Sequence, residues 1–76
     1  MESLEFELDD GHEYVELNQL LKLVGLCDSG GIGKQIVASG AVAVDGKVEL
    51  RKTCKIRAGQ VVSVEGAEVR VLPAAV

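Results

Sequence analysis

Tryptophan is absent, Phe6 and Tyr14 are the only aromatic residues, and proline occurs once, at Pro73. So few rings leave no platform on which bases could stack, and both lie in apolar patterns where core packing is expected. Histidine occurs once, at His12, and the two cysteines, Cys27 and Cys54, form no Cys-x-x-Cys pair. A tetrahedral zinc site would therefore lack ligands, and no cysteine–histidine pair stands at the spacing of a nucleophilic motif. No catalytic set, metal or cofactor is expected. Nor does any stretch approach the roughly 18 apolar residues of a membrane span. The start, Met1-Glu2-Ser3-Leu4-Glu5, has neither the basic nor the apolar part of a secretory signal. These absences predict a soluble, cytoplasmic protein whose thiols stay free, with a disulfide as the lesser alternative.

What is present suits a folded globule: 47% hydrophobic and 26% charged residues in a chain of 76. That length fits one domain, residues 1–76, and a domain so small buries only about 60% of its unfolded surface, leaving little stability for an enclosed catalytic cavity. The net charge of −4 argues against a polyanionic partner until its distribution is considered. Residues 1–16 hold seven acids (Glu2, Glu5, Glu7, Asp9, Asp10, Glu13 and Glu16) and no Lys or Arg, so the rest of the chain carries +3. Lys47, Arg51, Lys52, Lys55 and Arg57 crowd into residues 47–57 with Glu49 as the one acid. A two-faced molecule with one locally basic stretch follows.

Leu4, Phe6 and Leu8 alternate with Glu5 and Glu7, the period of a half-buried strand. From Tyr14 to Val24 the period changes: Leu17, Leu20, Leu21 and Val24 fall on one face of a helix that Gly25 would stop. Glu13 and Glu16 would then flank its first turn, favoured by the helix dipole. Asp28 or Ser29 would cap a second helix with Ile32, Ile36 and Val37 on its apolar face and Gly40 at its end. Asp45-Gly46 between Val42–Val44 and Val48 is a strong hairpin signal, with Val42 and Val44 facing the core. Further strands are expected at Val61–Val64 and Val69–Leu72, with fraying over residues 73–76. The order is strand, helix, helix and four strands, an α+β class.

Two segments have the makings of an anion site. Gly30, Gly31 and Gly33 stand at a helix start, where free backbone N–H groups favour phosphate, and Lys34 shares a face with Gly30. The competing explanation is that these glycines only permit a bend and close helix packing. Gln35 after Lys34 excludes a nucleotide-hydrolysing P-loop. In residues 50–57, Cys54 and Ile56 alternate with Arg51, Thr53, Lys55 and Arg57, so an extended chain would send three cations to one side and Cys54 to the core. Either an anionic partner relieves their repulsion, or the strand is an edge guarded by charge. Lys52 has the opposite parity.

The order helix, Ser29-Gly30-Gly31, helix, Gly40-Ala41-Val42-Ala43-Val44-Asp45-Gly46, Arg51-Lys52 and Ala58-Gly59-Gln60-Val61-Val62 resembles the α-L RNA-binding motif, the domain named after ribosomal small-subunit protein S-four. Within that family the chain looks like the small stand-alone YbcJ-like members. The likeness runs from about Val15 to Gly66, and is most specific in the hairpin and the Gly-Gln-Val-Val segment. It implies two helices and a hairpin presenting a positive groove to structured RNA, often ribosomal or transfer RNA. The RNA-facing positions it implies are Ser29, Gly30, Gly31, Lys34, Arg51, Lys52 and Lys55, to which charge adds Arg57. The chain departs from many relatives in lacking arginines at Gly30, Gly31 and the start of the first helix.

The function expected is thus a non-enzymatic, ribosome-associated RNA-binding protein, monomeric, gripping phosphates while its acidic first segment points away from the groove. The alternative is a protein-interaction module whose acidic segment docks on a basic ribosomal or RNA-modification protein. Appended to a catalytic partner, such a domain would also serve RNA modification.

Overall fold

A computed structural model describes residues 2–74. The fraying expected at Ala75 and Val76 lies outside the described residues. The elements are β1 (Glu2–Glu7), β2 (Tyr14–Glu16), α1 (Leu17–Leu23), α2 (Gly30–Ala38), β3 (Val42–Val44), β4 (Lys47–Val48), β5 (Lys55–Arg57), β6 (Val61–Val64) and β7 (Ala67–Leu72). The α+β class and its order hold, with two short strands, β2 and β5, beyond those expected.

The main sheet has the order β1-β7-β6-β3-β4, and β2 pairs with β5 in a separate antiparallel ribbon. β1 lies parallel to β7, with Leu4 opposite Val69 and Phe6 opposite Val71. All other pairs in the main sheet are antiparallel. The period-2 pattern explains the layering: Val42, Val62, Val69 and Val71 are fully buried and meet Leu17, Leu20 and Leu21 of α1, Val37 of α2 and Ile56 of β5 in one core. Val44 is half-buried against that core.

The β3–β4 hairpin turns through Asp45 (φ 51°) and Gly46 (φ 84°), two left-handed residues as a two-residue turn of the twisted kind demands. The Asp45 carboxylate does more than turn the chain. It accepts from the Val61 N–H at 3.0 Å and from Gln60 Nε2 at 3.3 Å, and Gln60 Oε1 accepts from the Arg57 N–H at 2.7 Å. The hairpin tip is thereby tied to the end of β5, which couples the two stretches most specific to the resemblance.

The first helix is shorter than its periodicity predicts. Tyr14–Glu16 is strand, because Val15 lies opposite Ile56 and completes the core side of the ribbon, a pairing the local pattern cannot reveal. Glu16 becomes the N-cap residue without a side-chain cap bond, and the first turn of α1 holds no acid, so the expected dipole role of Glu13 and Glu16 is not realised. The orphan N–H groups of Leu17 and Asn18 are satisfied instead by the carbonyls of Cys54 (2.8 Å) and Lys52 (3.2 Å).

Ser29, not Asp28, caps α2, its hydroxyl accepting from the Ile32 N–H at 3.2 Å. The contact seam with α1 runs through Gly30, Gly33 and Val37. A Cβ at Gly33 would lie 2.6 Å from the Asn18 carbonyl oxygen, and one at Gly30 would lie 2.8 Å from Gln19 Nε2. That seam rotates Ile32 outward to 41% exposure, contrary to its expected place on the buried face.

Candidate nucleic-acid interface

Asn18 is the junction of the site. It is 2% exposed; its N–H donates to the Lys52 carbonyl, its Nδ2 donates to the Gly30 carbonyl at 3.4 Å, and its backbone abuts Gly33. The glycine-rich start of α2 and the basic turn after β4, more than 20 residues apart in the chain, therefore meet at the N-terminal end of α1. Nothing in the sequence singles out Asn18, because an isolated Asn in an amphipathic helix gives no sign of burial. Its Oδ1 has no partner among the described residues, an arrangement that costs about 1–3 kcal/mol when a polar atom is left unmet.

On the α2 side, Ser29, Gly31 and Lys34 are exposed. Gly30 is not on an open face with Lys34, as its spacing implied, but is turned against Gln19 and Asn18. Gly31 is the open position, with only Ser29 Oγ within 4 Å of a built Cβ. The packing explanation holds at Gly30 and Gly33, whereas Gly31 stays open at the surface.

On the other side, only Lys55–Arg57 is extended, since the chain turns at Lys52 and Thr53. The expected single row of Arg51, Lys55 and Arg57 is therefore broken. Arg51 is folded back on Glu49, its Nε and NH2 donating to the carboxylate at 3.0 and 2.9 Å and its backbone N–H at 2.9 Å. Three bonds to one carboxylate stabilise its charged form and hold Glu49 well below the ordinary value of 4.5, at about 2. Because that value is depressed on folding, the stabilisation is complete above the ordinary carboxylate range and is lost as pH falls toward 2. A proton titration followed at the Arg51 amide is expected to give a midpoint near 2; a midpoint near the ordinary 4.5 would show the bridge to be absent in solution. Burial and the Glu49 charge push the Cys54 thiol up, so it is a packing group rather than a thiolate. Both cysteines are free and half-buried.

Lys52, Lys55 and Arg57 stay exposed, and a shallow depression of about 380 Å³ is lined by Arg51, Thr53, Cys54 and Lys55. Lys55 and Arg57 flank the ring of Tyr14, with Nζ 5.0 Å and Cζ 5.8 Å from its centroid. Tyr14 is 39% exposed rather than a core residue, because the ribbon puts Val15 inward and its neighbours outward. The acidic segment also divides. Glu5 lies opposite Arg70 on the main sheet, but Glu16 lies opposite Lys55 and Glu13 Oε2 stands 3.9 Å from Arg57 NH1, so the segment does not wholly point away from the cations. A second depression, of about 320 Å³, is lined by Ser3, Leu4, Glu5, Glu68 and Arg70, a mixed and mainly acidic setting unsuited to a polyanion.

Among the described residues no His, Cys, Asp or Glu cluster could hold a metal ion, and no helix is long and apolar enough to cross a membrane. Comparison with known proteins places this geometry. YbcJ of Escherichia coli (strain K12), whose name carries RNA binding as a provisional assignment, is 54% identical over 61 residues, 80% of this chain and 87% of its own. YbcJ of Shigella flexneri matches over the same shares at the same identity. The solution structure of the Escherichia coli protein, described as revealing an α-L motif involved in RNA binding, superposes with a TM-score of 0.69 at 51% identity, over 90% of this chain and 85% of that one. The family model for the S4 domain matches residues 6–72, and the chain is a member of that family.

Proposed function

We propose that the chain is a non-enzymatic, cytoplasmic RNA-binding module that holds structured RNA, ribosomal or transfer RNA by class, through phosphate contacts. The meeting of the α2 start and the basic turn at Asn18 carries the proposal. Lys34 on one side and Lys52, Lys55 and Arg57 on the other supply exposed cations. The exposed Ser29 hydroxyl and the N–H groups of Gly30 and Gly31, which find no acceptor among the described residues, supply fixed donors at a helix start. Arg51 contributes its exposed outer face while Glu49 neutralises its charge. The names borne by the relatives support the same class of ligand.

Phosphate contacts release counterions, so log K should fall linearly with log salt, by about 0.7–0.9 per contact. Fluorescence anisotropy of structured ribosomal and transfer RNA fragments, against a single-stranded control, is expected to give such a line with preference for the structured fragments. Equal binding of the single strand, or a flat salt response, would count against phosphate-based recognition of folded RNA.

One observation favours protein docking as a second function: β1 is an edge strand with Glu2, Glu5 and Glu7 exposed. A basic strand added there would survive ribonuclease treatment of a lysate, whereas RNA-mediated association would not.

A further inference from the structure

Resting on the RNA-binding reading, we infer that Tyr14 is a positioning residue whose ring holds Lys55 and Arg57 out from the ribbon, ready for phosphate. Three observations meet here. The ring is exposed although it belongs to an element whose other face is core; Arg57 is its direct cross-strand partner; and both cations stand within cation–π range of its centroid. The same strand places carboxylates beside the same cations, Glu16 across from Lys55 and Glu13 at 3.9 Å from Arg57. Two long side chains next to two acids would collapse onto them and be neutralised before RNA arrives. The ring gives each cation a competing contact that leaves its N–H donors free: Lys55 forms no ion pair among the described residues, and Arg57 meets Glu13 only at 3.9 Å. It also removes rotamer freedom that binding would otherwise have to remove, which is where preorganisation raises affinity. The main chain of β5 is fixed from both sides by its pairing with β2 and by the Gln60 bond to Arg57, so the ring acts on the side-chain ends alone.

The comparison is between wild type, Tyr14→Phe and Tyr14→Leu, on a fully paired RNA hairpin and on the same hairpin with one bulged adenosine. Tyr14→Leu is expected to weaken both about three- to tenfold at fixed salt, with an unchanged log K against log salt slope because the same phosphates are still neutralised. Tyr14→Phe, which keeps the π face, should bind as wild type does. Ring-current shifts of the Lys55 and Arg57 terminal methylenes, read by NMR without RNA, should persist in Tyr14→Phe and vanish in Tyr14→Leu. Matching thermal melts would exclude a general loss of fold. A loss confined to the bulged hairpin overturns the inference, since the ring would then be stacking on a base. Unchanged binding by Tyr14→Leu, alongside loss in Lys52→Glu/Lys55→Glu, overturns it while sparing RNA binding. No binding of either hairpin by wild type overturns both.

Discussion

Gly33→Ala is expected to lower the melting temperature by roughly 8–16 °C, while Gly31→Ala, two residues away, should raise it by a few degrees. The added methyl at Gly33 would sit 2.6 Å from the Asn18 carbonyl oxygen and 3.2 Å from its Cα and carbonyl carbon. These are backbone atoms of α1, which cannot rotate away, so the helices must part. Overpacking of this kind costs about 1–3 kcal/mol, and about 2 kcal/mol corresponds to the shift stated for a domain of this size. At Gly31 the methyl meets only Ser29 Oγ at 3.8 Å, and reduced freedom of the unfolded chain leaves a net gain of about 0.4–1 kcal/mol. Thermal melts followed by circular dichroism decide the matter, and equal melting temperatures for the two variants would refute the seam described for α1 and α2. The damage at Gly33 should spread, because Asn18 also holds Gly30 and Lys52. RNA affinity should fall with it, even at temperatures where the variant stays folded.

Lys52→Glu/Lys55→Glu should weaken binding of structured RNA on the order of tenfold or more near 0.1 M salt and flatten the salt slope by about 1.4–1.8. Both residues are exposed and neither forms an ion pair among the described residues, so reversal breaks no salt bridge and gives up only the Lys55 contact with the Tyr14 ring. Arg51→Glu is a poorer probe, although the sequence places it in the same cluster. It would leave Glu49, 17% exposed in its side chain, facing a second carboxylate, and would loosen the turn whose carbonyls cap α1. Loss of binding there would confuse charge with folding. Anisotropy with circular dichroism as control separates the two: the Lys pair should lose affinity at an unchanged melting temperature, whereas Arg51→Glu should lose both. If the Lys pair bound RNA as tightly as wild type, the basic face would have to be sought elsewhere.

The sequence alone determined what depends on neighbours along the chain. Alternation in β1, the buried face of Leu17, Leu20 and Leu21, and the Asp45-Gly46 turn are local signals, and each is found where the pattern put it, although the helix itself begins only at Leu17. The excess of cations in residues 47–57 is likewise a property of composition. Tertiary structure decided what depends on partners distant in sequence. Tyr14–Glu16 is strand rather than helix because Lys55–Arg57 lies alongside, and Tyr14 is on the surface for the same reason. Ile32 is exposed because Gly33 lets α1 come close enough to set the seam one residue on. Asn18 is the plainest case. Nothing beside it in the chain marks it, yet two carbonyls and a glycine from separate segments converge on it, and the proposed interface is brought together only where they do.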